Sequence, residues 1–157
     1  MRVPGSSFIW RRRALSLIAL AALACPVRSP AAPPPASETL VAAEWNAIKE
    51  VIGDQRTALM AGDADRAFSH AAPGIRAQFR TPENFLAMVR AAYDALLDTR
   101  YAEFLEGAVI DGKVIQPLRL IAPDNTVRVA LYTMERQEDG RWKIAGCVLA
   151  PSTVQAA

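Results

Sequence analysis

Two periodicities divide the chain. From residue 37 to about residue 97 apolar residues recur at helical spacing; from Tyr101 onward they alternate with a period of two. In the first half Val41, Trp45, Ile48, Ile52, Gln55 and Leu59 fall on one stripe, which predicts a long helix with Ser37 as cap, Glu38 in its first turn and Gly62 as its stop. Asp63 caps a short second helix from Ala64 to about Ala71, ahead of Pro73. Residues 74–80 (GIRAQFR) read as one turn of helix or an irregular link. Thr81-Pro82 opens a third helix with Phe85, Val89, Ala92, Tyr93 and Leu96 on its buried face.

The second half predicts an antiparallel meander. Tyr101 to Val109 and Lys113 to Ile121 are strands joined by an Asp111-Gly112 turn. Pro117 cannot donate to a ladder, which predicts a bulge or an edge there. Pro123-Asp124-Asn125 is a further turn. The strongest pattern is the hairpin of residues 126–149. Val127, Val129 and Leu131 point to one face, and Ala130, Tyr132 and Met134 to the other. A two-residue Asp139-Gly140 turn sets Glu138 opposite Arg141. It then sets Leu131 opposite Val148, Tyr132 opposite Cys147 and Met134 opposite Ala145. Helices followed by a meander predict an α+β fold, with three N-terminal helices packed on a curled, cone-like, four-stranded antiparallel sheet. Neither hairpin face is purely polar, so one face is expected under helices and the other partly covered, by a partner among other things.

Charge changes the picture only once the N-terminus is set apart. The whole chain carries 18 basic and 16 acidic residues. Arg2, Arg11, Arg12 and Arg13 precede Cys25 and no acidic residue does, leaving 14 basic against 16 acidic, a balance of −2. A domain without basic excess is not expected to bind nucleic acid. Residues 1–24 read as a secretory signal: Arg11–Arg13, then the apolar run from Ala14 to Ala24, with a small-x-small site at Ala22-Leu23-Ala24. The run is too short for a membrane span, which takes about 20 apolar residues. Two variants stay open: a twin-arginine signal at Arg12-Arg13, and a lipoprotein box with Cys25 lipidated. Residues 25–36 form a Pro/Ala-rich linker, residues 37–151 a single domain and residues 152–157 a flexible tail. The expected location is the periplasm or beyond it, with membrane attachment only through the leader or a lipidated Cys25.

Pro73 to Tyr93 (PGIRAQFRTPENFLAMVRAAY) and Ala130 to Pro151 (ALYTMERQEDGRWKIAGCVLAP) resemble an uncharacterised family of exported bacterial proteins, a domain of unknown function. That resemblance covers nearly all of residues 38–151 and implies no activity. More loosely, the element order is similar to the nuclear transport factor 2-like cone of ketosteroid isomerases and polyketide cyclases. It implies a pocket between sheet and helices, although the GIRAQF link stands where that cone has early strands. A shared fold carries no function by itself.

Most catalytic motifs are missing. The sequence has no phosphate-binding glycine loop, no H-E-x-x-H, no C-x-x-C and no G-x-S-x-G. It has one histidine, His70, and one cysteine in the domain, Cys147. No metal ligand set and no cofactor is therefore assigned. Cys147 and His70 are the only conceivable thiol–imidazole pair, and both have structural explanations: a small strand residue and a helix-end cap. A pocket carboxylate acting as base would have to be Glu103 or Glu135, and alternation places Glu103 outward. Arg76 and Arg119 are candidate partners for an anion. Tyr93, Gln116 and Tyr132 each carry a polar tip on an apolar element, and these three are the predicted ligand-binding residues. No catalytic residue is assigned. The expected partner is an apolar small molecule or an envelope protein. The alternatives are an isomerase- or cyclase-like enzyme, and a homodimer formed through an apolar outer sheet face around Tyr132 and Met134.

Overall fold

A computed structural model describes residues 39–151. The leader, Cys25, Ser37, Glu38 and the tail after Pro151 lie outside the described residues. In chain order the elements are α1 (Ala42–Ala61), α2 (Ala64–Ser69), α3 (Pro73–Phe79), α4 (Pro82–Ala92), α5 (Asp94–Leu97), β1 (Tyr101–Phe104), β2 (Ala108–Ile110), β3 (Lys113–Ile121), β4 (Val127–Arg136) and β5 (Trp142–Pro151). The fold is α+β, with helices on one face of an antiparallel sheet ordered β1–β3–β4–β5, β2 also pairing with β3.

Among the described residues, five helical segments stand where three are expected. The GIRAQF link is a helix because Pro73 occupies its first turn, where a missing N–H costs nothing. The third expected helix stops at Ala92, because Tyr93 leaves helical backbone at φ −132°, ψ 40° before the short α5. α1 starts later than Ser37: Thr39 and Leu40 are non-helical and Val41 is the cap. There the Glu44 carboxylate accepts from the Val41 N–H at 3.1 Å, doing from inside the helix what a capping side chain does from outside. The caps at Asp63 and Thr81 form as expected, accepting from Arg66 N–H and Asn84 N–H at 3.0 and 3.2 Å.

One predicted strand is divided. The run from Tyr101 to Val109 breaks at Leu105–Gly107 into β1 and β2, which both lie along β3. Pro117 faces this break and is neither a bulge nor an outer edge. Its carbonyl accepts from Leu105 N–H at 3.1 Å, so its nitrogen points to the side where no regular ladder runs. The Asp111-Gly112 turn is a two-residue hairpin with φ 50° and 72°.

The long hairpin pairs Leu131 with Val148 and Tyr132 with Cys147, as expected, but Met134 with Ile144 rather than Ala145. The turn holds three residues, not two. Gln137 N–H donates to Arg141 O at 2.8 Å, Gly140 N–H donates to Gln137 O at 2.9 Å, and Gly140 takes φ 81°. A β-bulge at Ala145 then shifts the register by one and restores the expected pairs.

Ala130, Tyr132 and Met134 face the helices and are buried. The outer sheet face is carried by Ile115, Pro117, Val129, Leu131 and Val148 instead of the expected Tyr132 and Met134. The core has two parts. Ile48 and Ile52 of α1 pack on Leu118, Leu120, Tyr132 and Trp142 of the sheet. Leu59, Phe68, Phe85, Leu86 and Val89 form a second cluster among α1, α2 and α4.

Candidate functional site

A cavity of about 480 Å³ lies where the two clusters meet. Leu59, Phe85 and Val89 come from the helical cluster, and Leu96, Tyr132 and Ile144 from the sheet cluster. Gln78 lines it and is exposed, so this end reaches solvent. The size falls within the range of small-molecule pockets, about 300–1,000 Å³.

The edge of β5 makes one wall. Segment 70–72 closes part of that edge: Ile144 N–H donates to His70 O at 2.9 Å and Ala72 N–H donates to Ile144 O at 2.8 Å. Farther along, the Tyr93 hydroxyl donates to Cys147 O at 2.9 Å. Between these anchors lie the bulge residue Ala145 and Gly146, and both line the cavity. Tyr93 reaches Cys147 because it has left the helix, and it packs against both core clusters.

Tyr132 supplies the polar feature. It lines the cavity at 0% exposure, and its hydroxyl has no hydrogen-bond partner among the described residues. A buried, unsatisfied hydroxyl costs about 1–3 kcal/mol. Burial pushes its pKa well above the ordinary tyrosine value, Cys147 adds to that shift, and the Arg56 guanidinium opposes it. Gln55 is also buried in the wall, its amide donating to Ala67 O at 3.2 Å. A polar residue interrupting the Ile52–Leu59 stripe is the sequence signal for it. Cys147 lines the wall too, and burial pushes its thiol up to about 12, the opposite of an activated nucleophile.

Of the three predicted ligand-binding residues, the structure brings Tyr93 and Tyr132 together in the cavity. Gln116 is elsewhere. Fully buried opposite Tyr132 on β3, it donates to Leu105 O at 2.8 Å and Pro117 O at 2.9 Å and does not line the cavity. No carboxylate lines the cavity among the described residues. Glu103 pairs with Arg119 on the outer sheet face, and Glu135 is exposed near the hairpin end. The other arginine considered for an anion, Arg76, lies over the Phe68 ring at 5.2 Å. Among the described residues no group of His, Cys, Asp and Glu is arranged to hold a metal ion, and no helix is long and apolar enough to cross a membrane.

Residues 41–157, more than half of the chain, match the family described as Domain of unknown function (DUF4864). The chain belongs to the DUF4864 family. Within this DUF4864 domain lie the cavity and both of its tyrosines. Comparison with curated proteins gives no match, and comparison with solved structures gives none.

Proposed function

We propose that this DUF4864 protein is a non-catalytic binding protein of the bacterial envelope, which takes a small, mainly apolar molecule into the α/β cavity. The carrying observation is Tyr132: it lines a mainly apolar cavity, and its hydroxyl is fully buried and without a hydrogen-bond partner among the described residues. A ligand with one hydrogen-bonding group satisfies that hydroxyl, while Leu59, Phe85 and Val89 take its apolar body. The same reading takes helices and sheet as the two walls of a cone-like shell. It takes residues 1–24 as an export signal, with or without lipidation at Cys25.

Native mass spectrometry tests it on protein purified from its own cell envelope. The expected result is an adduct of small-molecule mass, released on denaturation and lost in Ala92→Trp. Ala92 is an exposed rim residue, so the indole blocks the cavity without entering the core. No adduct, together with no saturable uptake of a neutral naphthalene probe, rejects the reading.

One observation favours a second reading, a homodimer through the outer sheet face. Val148 is 63% exposed beside Leu131 and Pro117 on that face. Light scattering decides it: a dimer that Val148→Lys dissociates supports it, and a monomer at all concentrations ends it.

A further inference from the structure

The outer face of the sheet is apolar row by row. Pro117 stands beside Leu131, and Leu131 beside Val148. One row closer to the long hairpin's turn, Ala108, Ile115 and Thr133 follow one another across the strands. Alternation puts Tyr101 and Ile110 on this face too, since their partners Ile121 and Lys113 share the side of Pro117. Tyr101, Ile110 and Val148 are each more than half exposed. They are three of the five exposed large apolar side chains among the described residues, so exposed apolar surface is concentrated here. One charged pair interrupts it. Arg119 stands beside Glu103, and the two side chains form an ion pair at 42% and 40% exposure. The other neighbours of Arg119 on this face are apolar: Val129 on β4, and Pro117 and Ile121 on its own strand.

Contiguous apolar surface of this extent marks a contact site. Area and charge select a second copy of this chain as its occupant. Four strands spaced by about 4.8 Å, with the 9 residues of β3 rising about 3.3 Å each, give a footprint of about 19 by 30 Å. Accessible area exceeds footprint because side chains stand out of the plane. The face therefore supplies roughly the 800 Å² per partner of a standard interface. The charges on its apolar rows are one positive and one negative, adjacent to each other. A two-fold axis sets the same patch against itself, so it can bring Arg119 of each copy to Glu103 of the other. Each charge then gains a second counterion where water is excluded. A partner or membrane surface of one sign gains nothing net from such a face.

We propose that Glu103 and Arg119 are the specificity element of a two-fold contact between two copies of this chain. Each Arg119 keeps its own Glu103 and also faces the partner's Glu103. The proposal rests on the dimer reading of the preceding subsection and adds to it what fixes the alignment. Apolar rows supply area, but they fit one another in many relative positions. The charge pair fits in one, because any other position buries it against apolar side chains. Leu131 and Val148, one row away, keep water from the charges.

Analytical ultracentrifugation of the purified full chain tests this with two charge-reversed variants. Glu103→Arg leaves two positive charges on the face and Arg119→Glu leaves two negative ones. Each variant alone is expected to dimerise at least about tenfold more weakly than the natural chain. An equimolar mixture of the two is expected to form a mixed dimer, which native mass spectrometry identifies by its mass. A second measurement needs no variant to fold: sodium chloride is expected to weaken the natural dimer, whereas a purely apolar contact holds or tightens. A natural chain that is monomeric at all concentrations overturns the dimer reading and this proposal together, and leaves the face to another protein or a membrane. A natural dimer that Val148→Lys dissociates but both charge reversals leave intact overturns the role of the pair alone, and the dimer reading stands. Folded variants that are monomeric and do not combine also overturn it, because the pair then acts only within one chain. A natural dimer that salt does not weaken overturns it without any variant.

Discussion

The side-chain amide of Gln116 donates to the carbonyl of Leu105, the acceptor that Pro117 is unable to serve. Leu105 N–H donates to Pro117 O as one half of an antiparallel pair. The other half would need an N–H on residue 117, and proline has none. Gln116 supplies the donor from its side chain at 2.8 Å and so stitches β3 to the break between β1 and β2. Gln116→Leu is expected to cost about 1 kcal/mol in urea denaturation. In a Pro117→Ala background that cost should fall toward zero, because the backbone N–H gained at position 117 takes over the Leu105 carbonyl. Equal costs in the two backgrounds would show that Gln116 acts through packing alone.

Trp45 occupies the space that a side chain at residue 107 would need. A β-carbon on Gly107 would stand 2.3 Å from Cζ3 of the indole. The indole therefore lies directly on the backbone at the break, which ties α1 to the sheet edge. Gly107→Ala is expected to destabilise the domain by about 1–3 kcal/mol. Trp45→Leu should recover part of this in the double variant. A Gly107→Ala protein with an unchanged melting temperature would contradict this packing.

Tyr132 bears the opposite relation between stability and function. Its hydroxyl is buried and unpaired in the free protein, so Tyr132→Phe removes a cost of about 1 kcal/mol or more and keeps the ring. Without ligand the variant is expected to melt a few degrees higher, since about 1 kcal/mol moves a domain of this size by roughly 4–8 °C. With an apolar ligand carrying one hydrogen-bonding group, such as 1-dodecanol, present at saturation, the order should reverse. A variant less stable than the natural protein in the absence of ligand would mean the hydroxyl is satisfied.

His70 gives the domain an acid limb of its own. Burial, then the charge of Lys143, hold its imidazole below the ordinary 6.5, against the pull of Asp54. The unfolded chain therefore takes up this proton before the folded one does. Above about pH 6.5 neither state is protonated and His70 adds no pH dependence. As the pH falls through that value toward the folded one, stability drops, and below both the loss is complete. Asp124 and Asp139 are held below 3.8, first by hydrogen bonds to Thr126 and Arg141 respectively, so their contributions fade only at lower pH. Denaturation midpoints between about pH 7.5 and 5 should slope downward in the natural protein and flatten in His70→Gln. A slope that survives the substitution belongs to other groups.

Features that depend on a single residue's backbone or cap are legible in the sequence. Asp63 and Thr81 mark their helices because a side-chain oxygen next to an apolar run has one obvious use, and Asp111-Gly112 marks its turn because both residues tolerate positive φ. Alternation likewise identifies Tyr132 as a strand residue opposite Cys147. Gln116 escapes such a reading because its amide serves a carbonyl eleven residues back in the chain, which no local pattern shows. The start of α1 escapes it because Glu44 caps the helix from within.

The bulge at Ala145 has a consequence for chain length. Pairs on the turn side of the bulge run to Met134–Ile144, and those on the far side resume at Thr133–Gly146. Thr133 and Met134 are consecutive, whereas Ile144 and Gly146 are not. Deleting Ala145 would therefore leave all other pairs of the hairpin in place, with inward and outward residues still alternating. β5 is one residue longer than its ladder requires, and the surplus residue stands in the cavity wall. Length variation among relatives at this position is a readout of the cavity rather than of the fold: a chain lacking residue 145 would keep the same sheet and enclose a different space.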